Sequence, residues 1–273
     1  MRRIQVVRPE RPSMTPDARP ARRRLIGPAR SVAASPPEIS IWMDVVLLEP
    51  GSGLERDREH DDEAIFVVDG ALAVEGRVCP TGGAIVIERG ADCRVEAIGE
   101  TKLLHMGSTE AGSTSAPRSS ARRVSAGEAS AAGASGASPR VHVVGPRGRF
   151  EACEPGRETH FFADATCPTC DVWLLRTGRA FAYESPVHSH SQDELIHVLE
   201  GEIGIGSLAV RRGETLFVAA DQPYRFRGNA GGFAFLNFRS GPSRMTMRAT
   251  GERIVENAAA TGMTPVLDGV AAG

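Results

Sequence analysis

One stretch of this chain is written twice. EAIFVVDGALAV (Glu63 to Val74) aligns with ELIHVLEGEIGI (Glu194 to Ile205) at an offset of 131, and the same offset pairs ERGADCRV (Glu88 to Val95) with AADQPYRF (Ala219 to Phe226). RIQVVRP (Arg3 to Pro9) echoes RVHVVGP (Arg140 to Pro146) at an offset of 137. An internal repeat of this kind means one supersecondary plan used twice, and it restricts the chain to two similar bodies. Both copies consist of short apolar runs with glycine between them: EISIWMDVVLL, AIFVVDG and GAIVIERG, then DVWLLRTG, LIHVLEG, ETLFVAA and FAFLNF. Runs this short, spaced by turn residues, predict the strands of an all-β barrel or sandwich. Gly206-Ser207 predicts a hairpin turn. Helical signal is weak until ERIVENAAA (Glu252 to Ala260), which is expected to form one short helix capping a barrel.

Between the copies, Ser108 to Pro139 is mostly Ser, Ala and Gly with scattered arginines, without aromatic residues or periodicity. It reads as a flexible linker. The expected limits are therefore 1–107 for the first domain, 108–139 for the linker and 140–273 for the second domain, each domain long enough for its own core. A net charge of -2 gives the chain no overall attraction to nucleic acid. No apolar run approaches the roughly 18 residues that span a bilayer. The arginine-rich start lacks the apolar block of a secretory signal, and Pro9, Pro12, Pro16 and Pro20 would break the amphipathic helix of a transit peptide. Its echo at Arg140 suggests that it opens the first domain. Five cysteines, an odd number, favour reduced thiols and a cytoplasmic location.

The chemistry concentrates in HSHSQDELIHVLEG (His188 to Gly201). On a strand, residues two apart share a face, so His188 and His190 point together. After a turn, Glu194 starts the next run on a face shared with Ile196 and Val198. If the two strands are neighbours, two neutral imidazoles and one carboxylate meet, a common set of ligands for Fe(II), Mn(II), Ni(II) or Zn(II).

This stretch resembles the first motif of the cupin superfamily, G-x5-H-x-H-x3-4-E-x6-G. His188, His190, Glu194 and Gly201 match its HxH-x3-E-x6-G portion, while Ala182 stands where the opening glycine is expected. The second cupin motif, G-x5-P-x-G-x2-H-x3-N, falls on GETLFVAADQPYRFRGN. Gly213 matches its first glycine, Ala219 and Asp221 replace its proline and second glycine, and Tyr224 stands at the position of the fourth metal ligand, a histidine. The resemblance implies two double-stranded β-helix (jelly-roll) barrels, a bicupin, with one divalent transition metal in the second barrel and iron as first choice. Three roles are open for Tyr224: a bystander to a metal held by His188, His190 and Glu194 alone, a phenolate ligand, or a hydrogen-bonding group in a site that has lost its metal. In the first half Asp57 and Glu59 replace the two histidines and Cys93 the fourth ligand; Glu63 and Gly70 remain, and His60 is one residue out of phase. The first barrel is expected to be a structural partner with a degenerate pocket.

TCPTC (Thr166 to Cys170) supplies a CxxC. The default expectation is two small apolar residues at a strand entry. A zinc array with Cys153 and His160, or a redox dithiol, are the alternatives. His197 is one residue off the Glu194 face and should point to a barrel surface or interface. Trp173 and Tyr183 read as core or rim, and Phe181, Phe217, Phe226, Phe233 and Phe235 as core, some of them walling an apolar cavity. Arg176, Arg179, Arg225 and Arg227 read as solvated charges that an acidic substrate could use.

The resemblance implies a dioxygenase-like, metal-dependent oxidoreductase acting on a small organic molecule. The alternatives are a non-catalytic, small-molecule-binding or storage-like bicupin, and an isomerase, epimerase or lyase. The expected partners are a small molecule and a second copy of the chain, with no nucleic acid and no membrane.

Overall fold

The computed structural model describes residues 4–7, 21–26, 39–54, 61–108, 139–167, 169–258 and 262–266. Residues 109–138 of the predicted linker lie outside them, as do Asp57, Glu59 and His60. Among the described residues every regular element is a strand. None is a helix long and apolar enough to cross a membrane.

Two large antiparallel sheets dominate. The first runs Val141–Val144, Ala84–Ile87, Glu63–Asp69, Thr101–Ser108, Ile41–Leu48, Ala21–Ile26. The second repeats that order with Ile4–Val7, Thr215–Val218, Glu194–Ile205, Arg227–Arg239, Trp173–Arg179, Arg157–Ala163, and then adds Phe150–Glu154 and Thr264–Pro265. Small three-stranded sheets accompany each: Arg77–Pro80, Ala71–Val74, Val95–Ala97 beside the first, and His188–His190, Arg244–Met247, Arg253–Val255 beside the second. The doubled sequence is thus a doubled sheet.

The pairing corrects one expectation. Ile4–Val7 does not join the first barrel; it lies antiparallel to Thr215–Val218 of the second, with Ile4 opposite Val218 and Val6 opposite Leu216. Reciprocally, Val141–Val144 crosses to the first barrel, with His142 opposite Val86 and Val144 opposite Ala84. The two echoed segments occupy equivalent places, each on the edge of the other barrel's sheet. The expected limits of 1–107 and 140–273 therefore divide the chain but not the sheets.

Period-2 alternation explains why these strands are apolar on both faces. Ile65 and Val67 turn into the interior of the first barrel, while Ala64 and Phe66 turn outward. Ile196 and Val198 line the second interior, while Leu195 turns outward. The outward residues meet. Met43, Ala64, Phe66, Val86, Leu104 and Met106 pack in one buried cluster with Phe162, Leu174, Leu195, Phe217, Leu236 and Phe238. Phe66 and Phe162 cross this seam edge to face, ring centroids 5.6 Å apart. His197 also faces the seam, where its Nδ1 is 2.9 Å from Thr215 Oγ1.

The glycine of the HxH-x3-E-x6-G pattern has a steric cause. Gly201 has φ +67°, and a Cβ there would run into the carbonyl oxygen of Gly232. Its counterpart Gly70 has φ +88°, with Glu100 O in the same relation. Both sit where a long strand bends away from its neighbour, a conformation open mainly to glycine. Gly206-Ser207 is a two-residue hairpin, as expected, closed by the pair Ile205 and Leu208. Over the described part of 252–260, residues 252–258, the expected helix is not formed. Arg253–Val255 is a strand instead, with Ile254 opposite Met245. Its Ala- and Glu-rich composition favours a helix locally, but the sheet partner and the destination of Glu256 override it.

Candidate metal centre

Four elements converge at one end of the second barrel. His188–His190 is a short strand paired with Arg244–Met247. Tyr224 bridges it by backbone bonds in both directions with His188, each 2.9 Å, and this brings the phenol beneath the imidazoles. The His188 ring centroid is 5.0 Å from that of His190 and 4.6 Å from that of Tyr224. Glu194 opens the long central strand. Its neighbour, Arg227–Arg239, contributes Asn237 and Arg239, two polar residues alternating with Leu236 and Phe238 and so facing the interior. Glu256 follows the strand Arg253–Val255.

These side chains form one hydrogen-bonded network. Tyr224 donates its hydroxyl to Glu194 Oε2 at 2.6 Å. Arg239 donates to Glu194 Oε1 at 2.9 Å and to Glu256 Oε2 at 2.7 Å. Asn237 Nδ2 donates to Glu194 Oε1. His190 Nδ1 lies 2.9 Å from Glu256 Oε2, and His190 Nε2 lies 3.9 Å from Glu194 Oε2. Trp173 supports the network from below: the Arg239 guanidinium lies 3.9 Å over its ring, and its indole N–H donates to Glu256 O at 3.2 Å. A planar cation stacked on an aromatic face is an attractive pair that stays strong when water is excluded.

Burial sets the charge states. Desolvation pushes Glu194 upward, but Arg239, His190 and the Tyr224 hydroxyl outweigh it and hold the carboxyl at about 2. Glu256 is likewise pushed up by burial and held at about 2 by Arg239 and His190. Arg239 loses solvation, yet the two carboxylates keep it firmly charged. Burial, then the charge of Glu194, raises Tyr224 well above the ordinary phenol value. Burial lowers His188. When both imidazoles are neutral, two carboxylates against one guanidinium leave this buried group one negative charge in excess.

The tautomers follow from the partners. His188 Nδ1 lies 2.7 Å from the carbonyl oxygen of Pro186, which can only accept. His190 Nδ1 faces an ionised carboxylate. Both rings therefore carry hydrogen on Nδ1 and, when neutral, keep a lone pair on Nε2. Binding one ring nitrogen to a carbonyl or carboxylate is how proteins prepare the other for a metal. Glu194 Oε1 accepts two bonds and Oε2 one, which leaves Oε2 with unused acceptor capacity. The buried Asn237 Oδ1 has no hydrogen-bond partner among the described residues. By type these donors suit a divalent transition ion, but one ligand atom from each of His188, His190 and Glu194 does not come within 4.8 Å of the other two, so closing the set around an ion takes side-chain movement.

The structure thus brings His188, His190, Glu194 and Tyr224 together, as the spacing predicts. Asp221, at the motif's second glycine, has φ +58°, a left-handed turn that aspartate tolerates. Arg239 and Glu256 escaped the sequence reading. The one signal for Arg239, shared with Asn237, is polarity at alternate positions of FAFLNFR, a strand otherwise made for a core. In the first barrel the counterpart Glu63 is buried with His105 Nε2 3.1 Å from its Oε2.

The CxxC packs into the apolar seam, in line with its default reading, whereas the alternative array is not formed. Cys167 and Cys170 are buried, and none of the five cysteines is in a disulfide. The linear array with Cys153 and His160 is split in two. One ligand atom each from His142, Cys167 and Cys170 lies within 4.8 Å of the others, and Glu151, Cys153 and His160 form a separate group with the same limit.

Two barrels, exchanged edge strands and a His-x-His strand facing a glutamate in the second interior make this chain a two-barrel protein of the cupin fold. No family model matches the chain, and no curated protein does. Solved structures do. A putative glyoxylate-induced protein from Pseudomonas aeruginosa superposes with a TM-score of 0.56 and 18% identity, over 80% of this chain and 79% of that one. Oxalate decarboxylase from Bacillus subtilis, studied for its Mn(II) centres, gives 0.53 and 13%, over 75% and 70%. At these identities the likeness is one of fold.

Proposed function

We propose that the second barrel holds one divalent transition metal through His188, His190 and Glu194, and that the protein is a metal-dependent enzyme acting on a small organic molecule. One observation carries the reading. His190, with Nδ1 committed to Glu256, holds Nε2 3.9 Å from Glu194 Oε2, and His188, with Nδ1 committed to Pro186 O, sets its ring centroid 5.0 Å from that of His190, in a buried group that carries one excess negative charge when both imidazoles are neutral. A bound cation would offset that charge and satisfy both nitrogens. Tyr224 fits the role of hydrogen-bond donor to Glu194 better than that of phenolate ligand, because its environment raises the cost of losing the proton.

When bound, the metal supplies Lewis acidity and, for iron or manganese, access to redox chemistry. The chain supplies the rest. Arg239, Asn237 and Tyr224 fix the carboxylate of Glu194, and Glu256 and Pro186 fix the imidazole rings. Phe226, Phe233, Phe235 and Tyr183 pack the adjoining interior, with Phe226 and Phe235 at 5.3 Å, which suits a small substrate and limits water. Oxidative, dioxygenase-like chemistry is the first class to test. The decarboxylation carried out by the Bacillus subtilis neighbour makes a lyase the next.

The test is metal content by mass spectrometry on protein purified without chelator or histidine tag, followed by oxygen uptake and carbon dioxide release with catechols, diketones, thiols and small dicarboxylates. About one ion per chain, lost in His188→Ala, supports the centre. A specific observation also favours a rival, a non-catalytic small-molecule binder: Arg239 already neutralises Glu194. A metal content that His188→Ala leaves unchanged after reconstitution with iron, manganese, nickel or zinc would leave that rival standing.

A further inference from the structure

We infer that the chain carries a second metal site, independent of the first: a zinc ion held by His142, Cys167 and Cys170 at the seam between the barrels. The three residues come from two segments that the chain keeps apart. His142 is on the strand Val141–Val144, which pairs with Ala84–Ile87 of the first barrel. The cysteines are in the connection between Arg157–Ala163 and Trp173–Arg179 of the second. One ligand atom from each nevertheless lies within 4.8 Å of the other two. Zinc with bonds of about 2.3 Å to sulfur and about 2.0–2.1 Å to nitrogen sets ligand atoms roughly 3.4–3.8 Å apart at tetrahedral angles, so small side-chain rotations close the site.

The surroundings are those of a prepared site. His142 Nε2 lies 2.8 Å from Glu88 Oε1, which leaves Nδ1 as the nitrogen for the ion. Such a carboxylate behind a histidine orients the ring and strengthens it as a ligand. Glu88, itself buried, also accepts the backbone N–H of Arg140 at 3.0 Å and the hydroxyl of Thr169. Thr169 lies between the two cysteines, so one carboxylate clamps both ligand-bearing segments. The Cys170 backbone N–H points at Cys167 Sγ, 3.3 Å away, a bond that favours thiolate at that sulfur. Two thiolates and an imidazole select zinc over hard cations such as calcium or magnesium. Binding displaces the two thiol protons, and water completes the fourth position. The Glu151, Cys153 and His160 group lacks this preparation. Arg147 occupies Glu151, and His160 Nδ1 is turned to Arg147 O at 3.1 Å.

The experiment uses the full chain, reduced and stripped of metal, titrated with Co(II) and separately assayed for zinc as isolated. A thiolate-to-cobalt charge-transfer absorption in the wild type is expected, as is about one zinc per chain held through this site. Cys167→Ser and His142→Ala should each weaken zinc binding by about tenfold or more, while His188→Ala leaves it unchanged. The cobalt spectrum needs no variant, so a variant that fails to fold does not blunt the test. Three results would overturn the site: no thiolate-to-cobalt band in the reduced wild type, zinc that follows His188 instead of Cys167, or a Cys167–Cys170 disulfide that persists in the protein as isolated under reducing conditions.

Discussion

The two barrels set the same residues on the same frame and do different things with them. Trp42 and Trp173 are equivalent, each opposite the same position of the neighbouring strand: Gly107 in the first barrel, Arg239 in the second. Glu63 corresponds to Glu194, and His105, opposite Ile65, to Asn237, opposite Ile196. In the first barrel Trp42 lies over Gly107, and a Cβ there would stand 2.8 Å from the indole. The same indole meets His105 edge-on at 4.9 Å. The glutamate is matched by a ring. In the second barrel the glycine's place is taken by Arg239, which lies over the tryptophan and ties Glu194 to Glu256. One position, glycine or arginine, separates a glutamate hydrogen-bonded to an imidazole from one held by a guanidinium.

The largest test of this contrast is Arg239→Met. It would leave two buried carboxylates without their cation and should cost about 3–5 kcal/mol, read as a lower urea midpoint. An unchanged midpoint would mean that the guanidinium is not what holds the second site together. Tyr224→Phe removes one hydrogen bond to a buried charge and should cost about 1.5–3 kcal/mol while keeping the metal. Loss of the metal in that variant would restore the phenol to the ligand set.

Acid titration separates the groups by window. Glu194 and Glu256 fold with carboxyls at about 2 against an ordinary 4.5. Their contribution is present above about 4.5 and drains away as pH falls towards about 2. His197, neutral at the seam, is lowered by burial to about 3 from 6.5. The unfolded chain takes up that proton first, so stability already falls as pH drops from about 6.5 towards 3. His197→Leu should flatten the upper part of the curve and leave the lower part in place; a curve unchanged above pH 4.5 would refute this assignment. The smallest effect belongs to the first barrel. Glu63→Gln keeps a hydrogen-bonding partner for His105 and should cost about 1 kcal/mol or less, by the same urea measurement.

Much of this was legible in the residues, for physical reasons. Period 2 brings His188 to His190, and the four-residue step to Glu194 is a turn into the next strand, which belongs to another sheet. Gly201 marks a backbone conformation that few other residues adopt. Arg239 and Glu256 were not legible as partners of Glu194 and His190, because contacts across 45 and 66 positions leave no local pattern. The tail was misread because Glu and Ala favour a helix locally, whereas its pairing with Arg244–Met247 is a tertiary fact. The echo of Arg3 at Arg140 showed two equivalent strands without showing which sheet receives each.

That exchange has a consequence for the chain as an object. Each half lends an edge strand to the other, so neither is autonomous: a fragment ending at 107 has an open sheet edge, and so does one starting at 140. Cutting the linker does not remove this reciprocity. The barrels are clasped by backbone hydrogen bonds, and the two pieces produced separately should find each other in solution and restore the whole.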